Sequence, residues 1–141
     1  MQLQGRSALV TGAANGIGRA IALGMAEAGA DVAAADLDKA NVSTLKAEIE
    51  ALGRKCLAIE ADAGDVEAID AMISQTVEVF GKLDIIVNNA GVTRRAHIMD
   101  LTEEDFDKIN RVNVKGVFFC MQRAATEMIK NGGGRIINIA S

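Results

Sequence analysis

The chain has 141 residues, half of them apolar, with four phenylalanines and no Tyr, Trp or Pro. This length allows one domain, whose core buries roughly two-thirds of the unfolded chain's surface, and excludes a second. The net charge of −4 comes from interspersed acids and bases without a Lys/Arg block, which excludes the basic stripe that nucleic-acid binding requires.

Short β-like runs alternate with longer helical patterns along the whole chain. The runs are rich in Ala, Val, Leu and Ile and do not alternate with polar residues, which is typical of strands covered by helices on both faces. Alternating strands and helices predict an α/β fold built on a doubly wound parallel sheet. The predicted strands are Ser7–Thr11, Asp31–Ala35, Lys55–Glu60, Leu83–Asn88 and Arg135–Ile139.

Glycines and capping residues mark the predicted helix ends. The first helical pattern is Arg19–Ala28, and Gly29, Gly53 and Gly81 each follow a helical pattern where a left-handed residue is needed. Thr102, followed by three acids, is a predicted N-cap. We expect one helix from there to about Lys130.

The turn after the first strand, Thr11-Gly12-Ala13-Ala14-Asn15-Gly16-Ile17-Gly18, is the strongest functional signal. A dinucleotide's pyrophosphate must approach the backbone at a helix N-terminus, and a Cβ at Gly16 or Gly18 would obstruct it. The alternative is a tight turn that only needs glycine's dihedral freedom. Asp36, at the end of the second strand, favours a Rossmann-type nucleotide site, since its carboxylate can accept hydrogen bonds from an adenosine ribose.

Asp36 also bears on the choice of cofactor. A 2′-phosphate beside this carboxylate would be repelled by roughly 1–4 kcal/mol at a partly exposed dielectric. Asn15 and Leu37 are uncharged where an Arg or Lys could have held that phosphate. We therefore expect NAD as the cofactor, with NADP less favoured.

The spacing Thr-Gly-x-x-x-Gly-x-Gly, followed later by Asn88-Asn89-Ala90-Gly91, resembles the short-chain dehydrogenase/reductase family. The resemblance runs from Ser7 to Ser141 and is to the amino-terminal half of the standard-length branch. It implies that residues 1–141 form a single dinucleotide-binding domain, the first part of one of about 250 residues. The sheet would then be truncated after about its fifth strand.

The resemblance implies that Asp62 and Ala63 border the adenine, while Asn89, Ala90 and Gly91 lie along the cofactor and brace the sheet. The residues alone predict, for Asn88–Gly91, a turn whose amides satisfy nearby backbone, and Asn89 can do both. The full set of predicted cofactor-binding residues is Gly12, Asn15, Gly16, Ile17, Gly18, Asp36, Leu37, Asp62, Ala63, Asn89, Ala90 and Gly91.

Asn113 and Ser141 are the predicted catalytic residues. From the residues alone, Asn113 is a structural amide inside a helix. The resemblance implies that it interrupts the helix and holds a water linked to a catalytic lysine, and that Ser141 orients the substrate oxygen. The family's Tyr-x-x-x-Lys pair is absent, so we expect the 141-residue chain alone to be inactive. His97, the only histidine, is interpreted as a surface or loop residue.

Three functions remain open at this point. The first is an NAD(P)-dependent oxidoreductase that moves hydride between the nicotinamide and a secondary alcohol or ketone, a small-molecule substrate of unknown identity. The second is a non-catalytic NAD-binding module or truncation product. The third is a methyltransferase, against which Thr11-Gly12 and Asn88–Gly91 argue.

The resemblance also implies a homo-oligomer, a dimer or tetramer, with the helix from Thr102 in one interface. Phe118, Phe119, Met121 and Met128 fit either that interface or the core, and the core is favoured. An apolar strand at Ile136–Ile139, if unpaired, predicts an unstable or associated fragment. Two separated cysteines and one histidine indicate neither a disulfide nor a metal site, and without a transmembrane or targeting pattern we expect a cytoplasmic protein.

Overall fold

The computed structural model describes residues 1–140. Its centre is a five-stranded parallel sheet in the order β3-β2-β1-β4-β5, which confirms the predicted doubly wound α/β fold. Each observed strand lies within two residues of its predicted bounds, the usual scatter of strand ends. The strands are β1 (Ser7–Thr11), β2 (Asp31–Asp36), β3 (Cys56–Glu60), β4 (Ile85–Asn88) and β5 (Arg135–Asn138).

Helices join successive strands, and most begin at a side-chain cap. Asp38 and Asp65 accept hydrogen bonds from backbone N–H groups in the first turns of α2 and α3, and Thr102 forms a capping box with Asp105 at α4. No helix among residues 1–140 is long and apolar enough to cross a membrane. The helices are α1 (Gly16–Glu27), α2 (Lys39–Ala51), α3 (Val66–Phe80), α4 (Glu103–Asn110) and α5 (Val117–Lys130), with a π-helical segment (Arg111–Gly116) between the last two.

Two predicted helices differ from the structure. The first begins at Gly16 rather than Arg19, so the glycines form its first turn. The helix predicted from Thr102 to about Lys130 is present without a break from Glu103 to Lys130, but the π segment interrupts its α-helical hydrogen bonding. Tertiary contact accounts for the division: a Cβ on Gly116 would lie only 2.0 Å from the Ala63 carbonyl oxygen, so the two backbones touch. Widened turns of this kind occur often at functional sites.

The sheet is covered on both faces. Ala8 and Val10 of β1 pack into the cluster under α1 and α2, while Leu9 packs into the cluster under α3 and α5. Cys56 and Cys120 lie in different clusters, and burial raises the pKa of each thiol to about 12. Neither cysteine is therefore a thiolate nucleophile at neutral pH.

Asp84 joins the amino-terminal ends of β1 and β4. Burial raises the pKa of its carboxyl, but the hydrogen bond from the Ser7 N–H (2.9 Å) and the charges of Lys82 and Arg6 outweigh that effect, so the pKa lies below its ordinary value. A carboxyl with a depressed folded-state pKa stabilises the fold above its unfolded pKa. This stability is lost as pH falls through the lowered folded-state value.

Asp84→Asn should therefore be less stable than wild type at pH 7, with a gap that narrows as pH falls below about 4. Urea unfolding midpoints of both proteins at several pH values measure this gap. An equal gap at pH 7 and pH 3 would show that the charge of Asp84 contributes nothing.

Candidate functional site

A cleft of about 240 Å³ lies at the carboxyl ends of the central strands. It sits where the strand order reverses, since β2 and β3 lie on one side of β1 and β4 and β5 on the other. Open α/β sheets bind ligands at such a switch point. The lining comes from the ends of β1 and β2, the loops after β3 and β4, and three residues of α4 and the π segment, Lys108, Arg111 and Val112.

The glycine turn begins in the wall of this cleft, where Thr11 and Gly12 line it, and the two later glycines of the turn are required for different reasons. A Cβ on Gly18 would lie 2.1 Å from the Gly12 carbonyl oxygen, so the protein itself excludes a side chain there. The expected obstruction of a ligand by a Cβ at Gly18 stays a prediction beside this internal contact. Gly16 has a left-handed φ of +55°, and apart from its chain neighbours and the backbone of its own helix no heavy atom of residues 1–140 lies within 4 Å of its Cβ position. Its open side is available to a ligand.

The first turn of α1 is free of competing anions. Asn15 is the N-cap, but its side chain makes no capping hydrogen bond within the described part of the chain. The residues from Gly16 to Arg19 include no acid. Asn15, Gly16 and Ile17 are exposed, and the first N–H groups of a helix have no intrahelical acceptor. The turn can therefore receive an anion.

Asp36 lies beside this turn in the cleft wall, as predicted, and already has two backbone partners. Its Oδ2 accepts a hydrogen bond from the Ala14 N–H (3.1 Å), and its Oδ1 accepts one from the Asp38 N–H (3.0 Å). Each carboxylate oxygen can accept a further bond. Asp36 thus fixes the glycine turn against β2 and keeps acceptor capacity, while the neighbouring Leu37 is 66% exposed at the cleft edge.

Thr11 and Asn89 hold β1 and β4 together under the cleft. The Thr11 hydroxyl accepts hydrogen bonds from the backbone N–H groups of Asn89 (3.1 Å) and Ala90 (3.0 Å). The Asn89 side-chain amide donates to the Gly12 carbonyl (3.1 Å). Asn89 therefore braces the sheet, and Ala90 and Gly91 line the cleft beside it. The sequence did not single out the Thr11 hydroxyl, although Thr11 opens the turn motif.

Asp62 and Ala63 form the opposite wall, after β3. Asp62 Oδ1 accepts a hydrogen bond from the Gly64 N–H (2.8 Å), and Oδ2 lies 2.9 Å from Arg111 Nη1. Arg111 and Lys108 bring two cations to the cleft. Sequence reasoning missed both, because no local motif marks them.

Asn113, in the π segment, is bound to the loop after β4. Its Oδ1 accepts from the Val92 N–H (2.8 Å) and its Nδ2 donates to the Val92 carbonyl (2.8 Å). The helix interruption implied by the resemblance is thus present at this residue. Ser141 lies outside the described residues, and His97 is exposed, as expected for a surface residue.

Known proteins share both the sequence and this architecture. A family model described as short chain dehydrogenase matches residues 6–141. The chain belongs to the short-chain dehydrogenase family. One relative in this family, from Thauera aromatica, is the (2S)-[(R)-hydroxy(phenyl)methyl]succinyl-CoA dehydrogenase subunit BbsD. It is 44% identical over 141 residues, which cover all of this chain and 57% of that protein.

Two solved short-chain dehydrogenase structures resemble the chain closely. A short chain dehydrogenase from Burkholderia cenocepacia in complex with NADP has 43% identity and a TM-score of 0.94, over all of this chain and 57% of that one. NAD⁺-bound xylitol dehydrogenase has 32% identity and a TM-score of 0.95, over all of this chain and 55% of that one. The chain spans about half the length of the curated relatives it matches.

Proposed function

We propose that the protein is an NAD-dependent oxidoreductase that moves hydride between the nicotinamide and a secondary alcohol or ketone of a small molecule. The observation that carries the proposal is the cleft at the switch point of the sheet, which Gly12 and the Asp36 carboxylate line. Asp36 also binds the Ala14 N–H in the turn that leads to the uncapped first turn of α1. Family membership supports it, since one close structure holds NAD⁺ and another NADP.

The residues fit a dinucleotide along the cleft. The first turn of α1 offers N–H groups to the pyrophosphate, and the open side of Gly16 leaves room for it. Asp36 accepts from the ribose hydroxyls, Asp62 and Ala63 border the adenine, and Asn89 with its neighbours lies along the nicotinamide half. The bound cofactor supplies hydride chemistry, while the protein supplies position and electrostatics.

NAD is the preferred cofactor in this proposal. Asp36 is fixed by two backbone N–H groups, so it cannot readily turn away from a 2′-phosphate. Exposed Leu37 and Asn15 provide no compensating cation beside it. The two family structures bind different dinucleotides, so the preference rests on Asp36 itself.

Asp36→Ala should narrow the preference for NAD over NADP by about tenfold, because the repulsion of the 2′-phosphate is removed. Affinity for NAD should also fall, since the turn loses the hydrogen bond from the Ala14 N–H to Asp36. Dissociation constants for both dinucleotides measure the ratio. Asp38→Ala is the matched control, since it removes a neighbouring acid whose side chain caps α2 rather than contacting the glycine turn. An unchanged ratio in Asp36→Ala would refute the specificity argument.

Asn113 and Ser141 are the proposed catalytic residues of this chain. Asn113 fixes the loop after β4 and, through the widened helix turn, places a polar side chain beside the cleft. Ser141 donates its hydroxyl to the substrate oxygen, which stabilises charge that develops there during hydride transfer. The activity is tested by measuring NAD-linked oxidation of a panel of secondary alcohols. The assay uses the protein at the length its gene encodes. NAD binding without turnover of any alcohol or ketone would favour a non-catalytic binding module.

We further propose that the protein assembles with copies of itself through the α4 face. The α4 face comprises exposed apolar side chains of α4, the π segment and α5: Phe106 is 66%, Val114 60% and Phe118 53% exposed. The prediction that Phe118 is a core residue is wrong, whereas Met128 is buried and Phe119 packs against the core. Sedimentation velocity should show a dimer or tetramer that Phe118→Glu weakens, and a monomer at micromolar concentration would contradict the assembly.

A further inference from the structure

Arg111 connects the π segment to one wall of the cleft. Its Nη1 lies 2.9 Å from Asp62 Oδ2, across 49 residues of sequence. The guanidinium also packs against Gly64, where an added Cβ would lie 2.5 Å from Nη1. Arg111 therefore occupies a defined position over the loop after β3.

The Asp62 carboxylate is oriented from two sides. Gly64 N–H donates to Oδ1 at 2.8 Å, and Arg111 donates to Oδ2. Since a carboxylate oxygen accepts about two hydrogen bonds, each oxygen keeps room for one more donor. Asp62 also lines the cleft, so a ligand can supply that donor.

Folding stability does not account for this ion pair. The Arg111 and Asp62 side chains are 41% and 33% exposed, and ion pairs this accessible to solvent add little to the stability of a fold. Together with the Gly64 N–H, however, the pair orients both oxygens of the carboxylate. The ion pair therefore sets the direction in which the Asp62 carboxylate presents its free lone pairs.

We propose that Arg111 is a positioning residue that makes the cleft selective for adenine over a 6-oxo purine. It holds Asp62 so that the carboxylate accepts a hydrogen bond from the 6-amino group of the base. A 6-oxo purine offers a carbonyl oxygen at that position, which the carboxylate repels. The inference rests on the proposed function, because it takes the adenine to lie beside Asp62.

Titrations with NAD and with nicotinamide hypoxanthine dinucleotide, its 6-oxo analogue, test the proposal. The protein is used at the length its gene encodes. Wild type should bind NAD roughly tenfold more tightly than the analogue, as expected for one hydrogen bond to a partly exposed charge. Arg111→Met keeps the apolar stem but lacks donor and charge, so the two affinities should become nearly equal. Arg111→Lys should keep part of the preference, because an ammonium group can still pair with Asp62.

Lys108→Met is the matched control. It removes an equal charge from the same cleft, and Lys108 makes no ion pair with Asp62 in the described part of the chain. Both dinucleotides should bind somewhat more weakly to Lys108→Met than to wild type, and the ratio of the two affinities should be the same as in wild type. The role of Arg111 would be overturned if Arg111→Met kept the wild-type preference for NAD over the hypoxanthine analogue. It would also be overturned if Lys108→Met lost that preference to the same extent as Arg111→Met. Equal binding of the two dinucleotides to wild type would also overturn it and leave the proposed function standing, whereas binding of neither would refute both.

Discussion

Replacing Gly16 with Val is expected to abolish NAD binding while the chain remains folded. Apart from its chain neighbours and its own helix backbone, the Cβ position of Gly16 meets no heavy atom of residues 1–140 within 4 Å, so the new methyl groups enter the open space beside the first turn of α1. The proposed function places the pyrophosphate in that space, next to the backbone N–H groups of the turn. Loss of these charge-assisted hydrogen bonds should weaken NAD binding at least about a hundredfold.

Gly16 has a φ of +55°, so a valine there strains the backbone as well as filling the space beside the turn. The effect of this strain on NAD binding must be separated from the obstruction of the ligand. A side chain in a left-handed conformation costs roughly 1–2 kcal/mol wherever it occurs. Gly53→Val is the matched control: Gly53 has a φ of +82°, equally open space around it, and a position after α2 remote from the cleft. Both variants should lose similar stability on thermal unfolding, and only Gly16→Val should lose NAD binding. Equal NAD affinity in the two variants would show that the turn does not receive the pyrophosphate.

Asn113→Ala is expected to lower turnover by about a hundredfold, the scale of a disrupted proton-transfer step. Its effect on NAD affinity should be much smaller. The side chain makes two hydrogen bonds to the Val92 backbone, both 2.8 Å long, and it lies in the widened turn of the π segment. Alanine removes both bonds and the polar side chain that, as the family resemblance implies, holds a water linked to a catalytic lysine. The comparison requires kcat and the NAD dissociation constant of the protein at its gene-encoded length.

Asn110→Ala provides the control for Asn113→Ala. Asn110 ends α4, three residues earlier, and its side-chain amide donates only to the Phe106 carbonyl of its own helix. The same chemical group is removed, but the contact to the cleft is kept. Turnover of Asn110→Ala should stay close to wild type. If the two variants lost turnover equally, Asn113 would have only a general structural role in the helix.

Local sequence patterns predict the parts of this fold that are set by interactions between residues close together in the chain. The strand runs, the left-handed glycines after the helices and the Thr102 cap follow from burial, backbone freedom and hydrogen bonding between close neighbours. The glycine turn and Asp36 are also predicted from local sequence, because a tight turn between a strand and a helix restricts which residues can occupy it and the strand ends beside it. These features place the cleft at the correct edge of the sheet.

Long-range contacts explain what the sequence did not predict. The helical pattern alone does not predict the π segment, which only the family resemblance implied, because the contacts of Gly116 with Ala63 and of Asn113 with Val92 are not visible in that pattern. Arg111 joins Asp62 across 49 residues, so its place in the cleft depends on the folded chain. The contact of Gly18 with the Gly12 carbonyl is local in sequence, but it depends on how the turn folds back on itself, which the glycine spacing does not show.

A calorimetric titration of the wild-type protein with NAD tests the central claim most directly. The cleft predicts saturable binding at one site per chain, which Gly16→Val removes and Gly53→Val keeps. A folded wild-type protein that shows no saturable NAD binding would contradict it, as would undiminished binding to Gly16→Val.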